Sequence, residues 1–297
     1  MSNKMRYLFS LLLLLPFPLS LQAQIKENVA RYQEGNGTGY IQPLVDGLAV
    51  SMNRGWYHSG YVPTIGLRVK LTVIGMIAPI PDDDRTFMAT TEGLFQPQTT
   101  AEVPTIVGNE KSVTITGEGG TKYTFPGGLN LDMTGFAVPQ LTVGSFMGTE
   151  ATFRFFTSDF GDSELGDLQL FGIGIRHSLS QYLILAPVDF SVGIFYQNID
   201  VGDNLLQFNT WHFGAQASRG FGILSLYGGI GFDNSSASID YEYTDEEETA
   251  SISYDIDGDS GLEITLGAGL NFFLLHLYTD YTFGNRSVFS FGLSLGL

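Results

Sequence analysis

The stretch Phe289-Ser-Phe-Gly-Leu-Ser-Leu-Gly-Leu297 decides the fold. Successive side chains on a β-strand point to opposite faces. Phe289, Phe291, Leu293, Leu295 and Leu297 therefore share one face, and Ser290, Gly292, Ser294 and Gly296 share the other. One face is wholly apolar; the other is small and polar. Upstream, Leu262, Ile264, Leu266, Ala268 and Leu270 oppose Glu263, Thr265, Gly267 and Gly269. Val188, Phe190, Val192, Ile194 and Tyr196 oppose Asp189, Ser191, Gly193 and Gln197, with Phe195 as the exception. Ile65, Leu67, Val69, Leu71 and Val73 oppose Gly66, Arg68, Lys70 and Thr72.

A soluble sandwich also alternates. Three features favour a membrane barrel instead. The small face is rich in glycine, which suits a lumen. Tyr182, Tyr196, Trp211 and Tyr281 sit near strand ends, like interfacial girdles. Longer polar connections also tend to alternate with tighter turns. The pattern predicts strands over 64–76, 136–146, 150–158, 166–177, 185–199, 205–218, 221–243, 250–270, 273–283 and 287–297. The fold class is all-β: an antiparallel transmembrane β-barrel of about ten strands. The first connection, 78–135, is much longer than the others and holds a hairpin signal, Lys111–Thr116 with Lys122–Phe125. If that hairpin joins the wall, the count becomes twelve. An even count puts both ends of the barrel on one side, and short turns belong to the periplasmic side. The acidic runs Asp82–Asp84 and Asp245–Glu248 then lie outside.

The 297 residues include no cysteine, which excludes a disulfide scaffold, Cys-ligated zinc and a cysteine nucleophile. No later segment approaches the 18 or so apolar residues of a spanning helix. Lys4 and Arg6, the apolar Leu8–Leu15 and a Leu21-Gln22-Ala23 cleavage site make 1–23 a secretory signal peptide. Removing it deletes two basic residues and no acidic ones. Twelve bases then face 31 acids, a net charge of −19, which repels phosphate backbones and excludes nucleic acid as a partner. The implied address is the outer membrane, and the implied partners are its lipid and the machinery that assembles barrels. The ligand stays unknown.

Residues 24–62 form a separate N-terminal segment before the barrel, 63–297. Ile41, Leu44, Val45, Leu48, Ala49 and Met52 recur at helical spacing, with Pro43 suited to a first turn and Gly55 to a C-terminal cap. This short amphipathic helix either plugs the lumen, with Leu44, Val45, Leu48 and Met52 as its face, or rests on the periplasmic rim. Inward glycines such as Gly172, Gly174, Gly229, Gly231 and Gly267 leave room for a plug.

The segment Tyr40-Ile-Gln-Pro-Leu-Val-Asp-Gly-Leu48, then Asn53-Arg-Gly-Trp-Tyr57, then an alternating barrel ending in Gly-Leu-Ser-Leu-Gly-Leu297, resembles an uncharacterised family of Gram-negative outer-membrane proteins. The helix-before-barrel arrangement is also similar to the long-chain fatty-acid transporter superfamily, in architecture alone. The final strand resembles the assembly signal of outer-membrane barrels, although that signal commonly ends in an aromatic residue and this chain ends in Leu297.

Asp255, Asp257 and Asp259 invite a calcium reading, but an EF-hand counted from Asp255 would need glycine at Ser260 and a carboxylate at Leu266. No metal is assigned. Gly292-Leu-Ser294-Leu-Gly296 matches a nucleophile-elbow string, but it lies inside a strand with no helix after it. His177 and Ser178 point to opposite faces. The chain is therefore read as a non-enzyme without catalytic residues or a cofactor. The better lead is the set of charges that alternation turns inward: Arg68, Lys70, Arg154, Arg176, Asp189, Glu263, His276 and Asp280. They form either a structural ion-pair network or a polar path. Two functions follow: transport or binding of a small or apolar ligand through the lumen, or a closed interaction barrel with an external binding face at 78–135.

Overall fold

A computed structural model describes residues 28, 32, 34–159, 167–183, 186–201, 206–245 and 248–296. Helix α1 (Glu34–Met52) is followed by β1 (Ile65–Pro79), β2 (Thr86–Thr90), β3 (Thr100–Pro104), β4 (Val113–Thr116), β5 (Lys122–Phe125), β6 (Met133–Phe146), β7 (Thr149–Asp159) and β8 (Asp167–Ser178). Then come β9 (Asp189–Val201), β10 (Leu206–Phe221), β11 (Leu224–Asp245), β12 (Glu248–Asp257), β13 (Gly261–Phe272), β14 (Leu275–Phe283) and β15 (Val288–Gly296). The signal-peptide reading, 1–23, lies outside the described residues.

Ten strands close an antiparallel ring in the order β1-β6-β7-β8-β9-β10-β11-β13-β14-β15, sealed where β1 pairs with β15. The strand expected over 250–270 is one run broken at 258–260, so that β12 extends β13 along the far end of β11. The hairpin β4–β5 forms but stays out of the wall. The reason is register: β6 pairs with β1 out to Pro79↔Met133, which leaves no edge for a further strand. The count is ten.

The alternation read in the last strand is the alternation of the wall. Phe291, Leu293 and Leu295 are about half exposed, while Ser290 and Ser294 are fully buried. Along β13, Leu262, Ile264 and Leu266 face outward and Glu263 and Thr265 are buried. An apolar outside around a polar inside inverts a soluble protein and matches a barrel solvated by hydrocarbon. Among the described residues no helix is long and apolar enough to cross a membrane, so the strands carry the span.

The ring has two unlike ends. At one, connections such as 147–148, 222–223 and 273–274 are tight. At the other lie 80–132, 284–287 and the last residues of β7 and β9. Helix α1 sits at this loop end. Gln42 donates to the Asp257 carbonyl at 2.8 Å, Asn36 bonds both backbone groups of Thr90, and Gly47 abuts Thr134. Yet β1 begins at the turn end, where the amide of Gly148 donates to the Thr64 carbonyl. The chain between must cross the interior, and it does. Asn53 reaches Ser235, Arg154 reaches the Arg54 carbonyl, Trp56 stacks on Phe195, His58 stacks on Tyr278, and Gly60 accepts no Cβ beside Asp189 and Ser218. A segment that touches inward side chains of so many strands is threaded through the ring.

This placement corrects three readings of the helix. It does not rest on the rim with the tight turns, the end read from the sequence as periplasmic, because its contacts lie at the opposite end. Pro43 is inside the helix, not in its first turn, because residues 34–42 are already helical. Gly55, at φ +72°, turns the threaded chain three residues past the helix end. An interior proline loses a helical hydrogen bond, at about 3 kcal/mol. Burial of Tyr40, Ile41, Leu44, Val45 and Met52, with Leu48 partly buried, offsets that loss. These residues pack with Phe87, Ile106, Val107 and Phe125 of segment 80–132, which forms a canopy with its own apolar core instead of a loose loop.

Two outcomes test this description. With no native cysteine, Gly35→Cys at the exposed start of α1 should react with a membrane-impermeant maleimide from the same side as Ser112→Cys in the canopy, and opposite to Tyr182→Cys at the turn end. Labelling of Gly35→Cys together with Tyr182→Cys would disprove threading. The Cβ of Gly174→Ala would strike the Phe195 ring, so this variant should lower stability by about 1–3 kcal/mol in urea titration. Gly220→Ala, with open space around it, should be neutral.

Candidate functional site

The lumen is the chemically loaded region, and its layout follows from strand order. On one wall Arg68 and Lys70 come from β1, Glu150 and Arg154 from β7, and Arg176 from β8. On the opposite wall His212 comes from β10, Asp233 from β11, Glu263 from β13 and Asp280 from β14. Alternation turns each of them inward, and apart from the half-buried Arg68 all are buried.

On the basic wall Glu150 is shared. It pairs with Arg176 and stands 3.4 Å from Arg68. Arg176 also donates to the Ser59 carbonyl. Lys70 stands 3.4 Å from His58 Nε2 and has no carboxylate in contact among the described residues. Arg154, the largest fully buried side chain among the described residues, also lacks a carboxylate partner among them. Its guanidinium donates to Gln140 Oε1 at 3.0 Å, Gln197 Oε1 at 2.9 Å and the carbonyls of Met52 at 3.1 Å and Arg54 at 2.6 Å. It lies 3.7 Å over the Trp56 ring. Met52 ends α1, so Arg154 sits where helix carbonyls go unpaired and the macrodipole is negative.

On the acidic wall Asp233 accepts from His212 Nδ1 at 2.7 Å and pairs with Arg54. Tyr227 donates to Asp280 at 2.8 Å, and Thr265 donates to Glu263 at 2.9 Å. Two small polar cavities, each with room for about one water molecule, lie in series along this wall. Both are lined by Arg54 and Glu263; one continues to Asn285 and Arg286 at the loop end, the other to Tyr57 and Asp280.

At the loop end Arg286 is a hub. It reaches Asp46 of α1 at 3.0 Å, Asp259 at 3.5 Å and Asp84 of the canopy. Burial raises the Asp46 carboxyl against the pull of Gln42 and Arg286. This pairing accounts for one acid in each of two runs, Asp82–Asp84 and Asp255–Asp259. Among the described residues no acidic or histidine cluster could hold a metal.

Of the eight inward charges read from the sequence, Arg68, Lys70 and Arg176 come together around Glu150, Glu263 and Asp280 line one cavity, and Arg154 stands apart. Asp189 lies half-buried at the turn end, and His276 contacts Asn271 and the Gly296 carbonyl there. Glu150, His212 and Asp233 were missed, although alternation within β7, β10 and β11 would have found them. Arg54, Trp56 and Tyr57 carry no such signal. The room left by glycines is taken by aromatics: Trp56 over Gly172, Tyr57 over Gly229, Phe195 over Gly174 and Tyr227 over Gly267. Ser294 lies buried in the wall, 2.5 Å from Thr72 Oγ1, and the string around it builds no elbow.

The fold is similar to solved outer-membrane barrels. OmpT of Vibrio cholerae, an outer membrane protein, matches at 9% identity over 78% of this chain and 99% of its own, with a TM-score of 0.30. The outer membrane protease OmpT of Escherichia coli matches at 9% identity over 78% and 96%, with a TM-score of 0.34. CdiB of Acinetobacter baumannii matches at 10% identity over 78% and 60%, with a TM-score of 0.21. Likenesses this distant carry no argument about activity, and they lend no support to similarity with fatty-acid transporters. The reading of this chain as a non-enzyme is withdrawn, with an outer membrane protease among the similar solved barrels, and no activity is assigned in its place. No curated protein matches the sequence. Residues 2–297 match the family of unknown function DUF6588, and the chain belongs to that family.

Proposed function

We propose that this barrel is a gated path for small polar solutes across the outer membrane, with Asn53–Gly60 as the gate. Export by a cleaved signal peptide, contact with outer-membrane lipid and insertion by barrel-assembly machinery belong to the same reading. One observation carries it: the interface between the threaded segment and the wall is incompletely bonded. Arg54 Nε, Trp56 Nε1 and His58 Nδ1 on the segment are buried without a hydrogen-bond partner. So are Gln197 Nε2 and Gln216 Nε2 on the wall, while His212 Nε2 and Glu263 Oε1 face each other only at 3.8 Å. Each such group costs about 1–3 kcal/mol. A permanent plug would be selected to satisfy them; a segment that exchanges places with solvated solute need not. The lining is polar and charged, so the apolar-ligand version of transport is set aside.

The canopy favours a second reading, a closed barrel that works through its loop-end face. Its packed core, with Tyr32, Phe87 and Phe125 in ring contact, makes that face a folded surface.

Planar-bilayer recording separates the two. Ser59 Oγ and Ser218 Oγ stand 3.1 Å apart, so Ser59→Cys/Ser218→Cys places a disulfide between gate and wall. The wild type should show brief openings, the oxidised double variant none, and dithiothreitol should restore them. Identical silence in all three would sink the gate and leave the interaction reading. Arg286→Ala frees α1 from the rim and should raise open probability. Trp56→Ala, which removes the ring between Arg154 and Phe195, should raise it further and lower stability by about 3–5 kcal/mol, with folding checked by heat-modifiable mobility.

A further inference from the structure

The charges of the lumen are sorted by wall, and the gate already shows what they bind. In ring order β1, β6, β7 and β8 form one arc and β11, β13 and β14 another, separated by β9 and β10 on one side and by β15 on the other. Arg68, Lys70, Arg154 and Arg176 all stand on the first arc; Asp233, Glu263 and Asp280 all stand on the second. With Glu150 and the half-buried Asp189, four inward strand bases meet five acids, and Arg54 of the threaded segment brings the sum to zero while the two walls differ in sign. Such a lumen offers no net attraction to a simple ion, yet it orients and holds a molecule with opposite charges at its two ends.

The threaded segment obeys that rule. Its one cationic side chain, Arg54, pairs with Asp233 on the acidic wall. Its carbonyl oxygens at Met52, Arg54 and Ser59 accept from Arg154 and Arg176 on the basic wall. Cation to one side and oxygen acceptor to the other is the outline of an amino acid or short peptide. The cavities beside the gate place Glu263 Oε1, which stands 3.8 Å from His212 Nε2, and the buried Arg54 Nε next to the same path.

We infer that the solutes this lumen takes are small zwitterions of the amino-acid and short-peptide class, held with the ammonium toward β11–β13–β14 and the carboxylate toward β1–β7–β8. The inference rests on the gated-path reading and sharpens it to a substrate class. Discrimination then comes from net charge: a surplus charge of either sign leaves one wall facing a like charge.

The test is uptake into proteoliposomes of glutamine, glutamate and lysine, three amino acids of similar size with net charge zero, minus one and plus one. The full mature chain should admit glutamine about tenfold faster than either charged solute, equivalent to about 1.4 kcal/mol. Asp280→Asn keeps the size and the Tyr227 contact but leaves a basic surplus, and should move the preference toward glutamate. Lys70→Gln should move it toward lysine. Equal rates for the three solutes, or rates unmoved by either variant, would overturn the zwitterion assignment while leaving the gate standing. Uptake of none of them above protein-free vesicles, in the wild type and in Trp56→Ala, would overturn the gated path itself.

Discussion

A guanidinium buried at the centre of the lumen without a carboxylate beside it must still fill its donors, and Arg154 fills them with the end of a helix. That interaction organises much of the rest. It fixes Met52 and Arg54 at mid-lumen, so α1 must lie toward the loop end and β1 must start at the turn end. It holds Trp56 flat beneath the guanidinium, and Trp56 in turn fills the space over Gly172 and stacks on Phe195 at 5.1 Å. Backbone carbonyls are neutral acceptors, so the charge is stabilised by dipoles and a π-face and not by a counter-ion. Neutral partners can be exchanged for solvent dipoles at less expense than a buried counter-ion, whose loss would strand a charge.

The threaded chain ties the two ends of the barrel together. At the loop end, Arg286 joins α1, the canopy and the break between β12 and β13 through three carboxylates. At the turn end, Ser59 and Gly60 dock on Ser218, and Arg176 holds the Ser59 carbonyl. Between these anchors the chain is neither helix nor strand, and its side chains are where the molecule's hydrogen bonding is least complete. Well-fixed ends and a poorly satisfied middle describe a segment that can be displaced without unfolding the wall, because the wall's own ladder of backbone bonds closes without it.

The lipid-type outer face and the lumen chemistry follow from the same period-two pattern read on its two faces. The outward apolar band answers to hydrocarbon. The inward face, freed from any demand of a soluble core, can sort its charges by strand.

The sequence by itself determined the wall. Strand period, glycine on one face and aromatics near strand ends come from local steric and solvation rules, so all ten wall strands were legible, as were the inward faces of Arg154, Glu263 and Asp280. It also showed an apolar helical stripe at 41–52. It could not show which end of the barrel that stripe occupies, because an amphipathic helix reports only that it is covered on one side. Nor could it show that Asn53–Gly60 runs through the lumen, since an irregular segment has no periodicity to read. The pairing of Arg286 with Asp46, Asp84 and Asp259, and the separation of basic from acidic walls, depend on residues far apart in sequence. Only closure of the ring, which fixes the strands that face each other across the lumen, decides those.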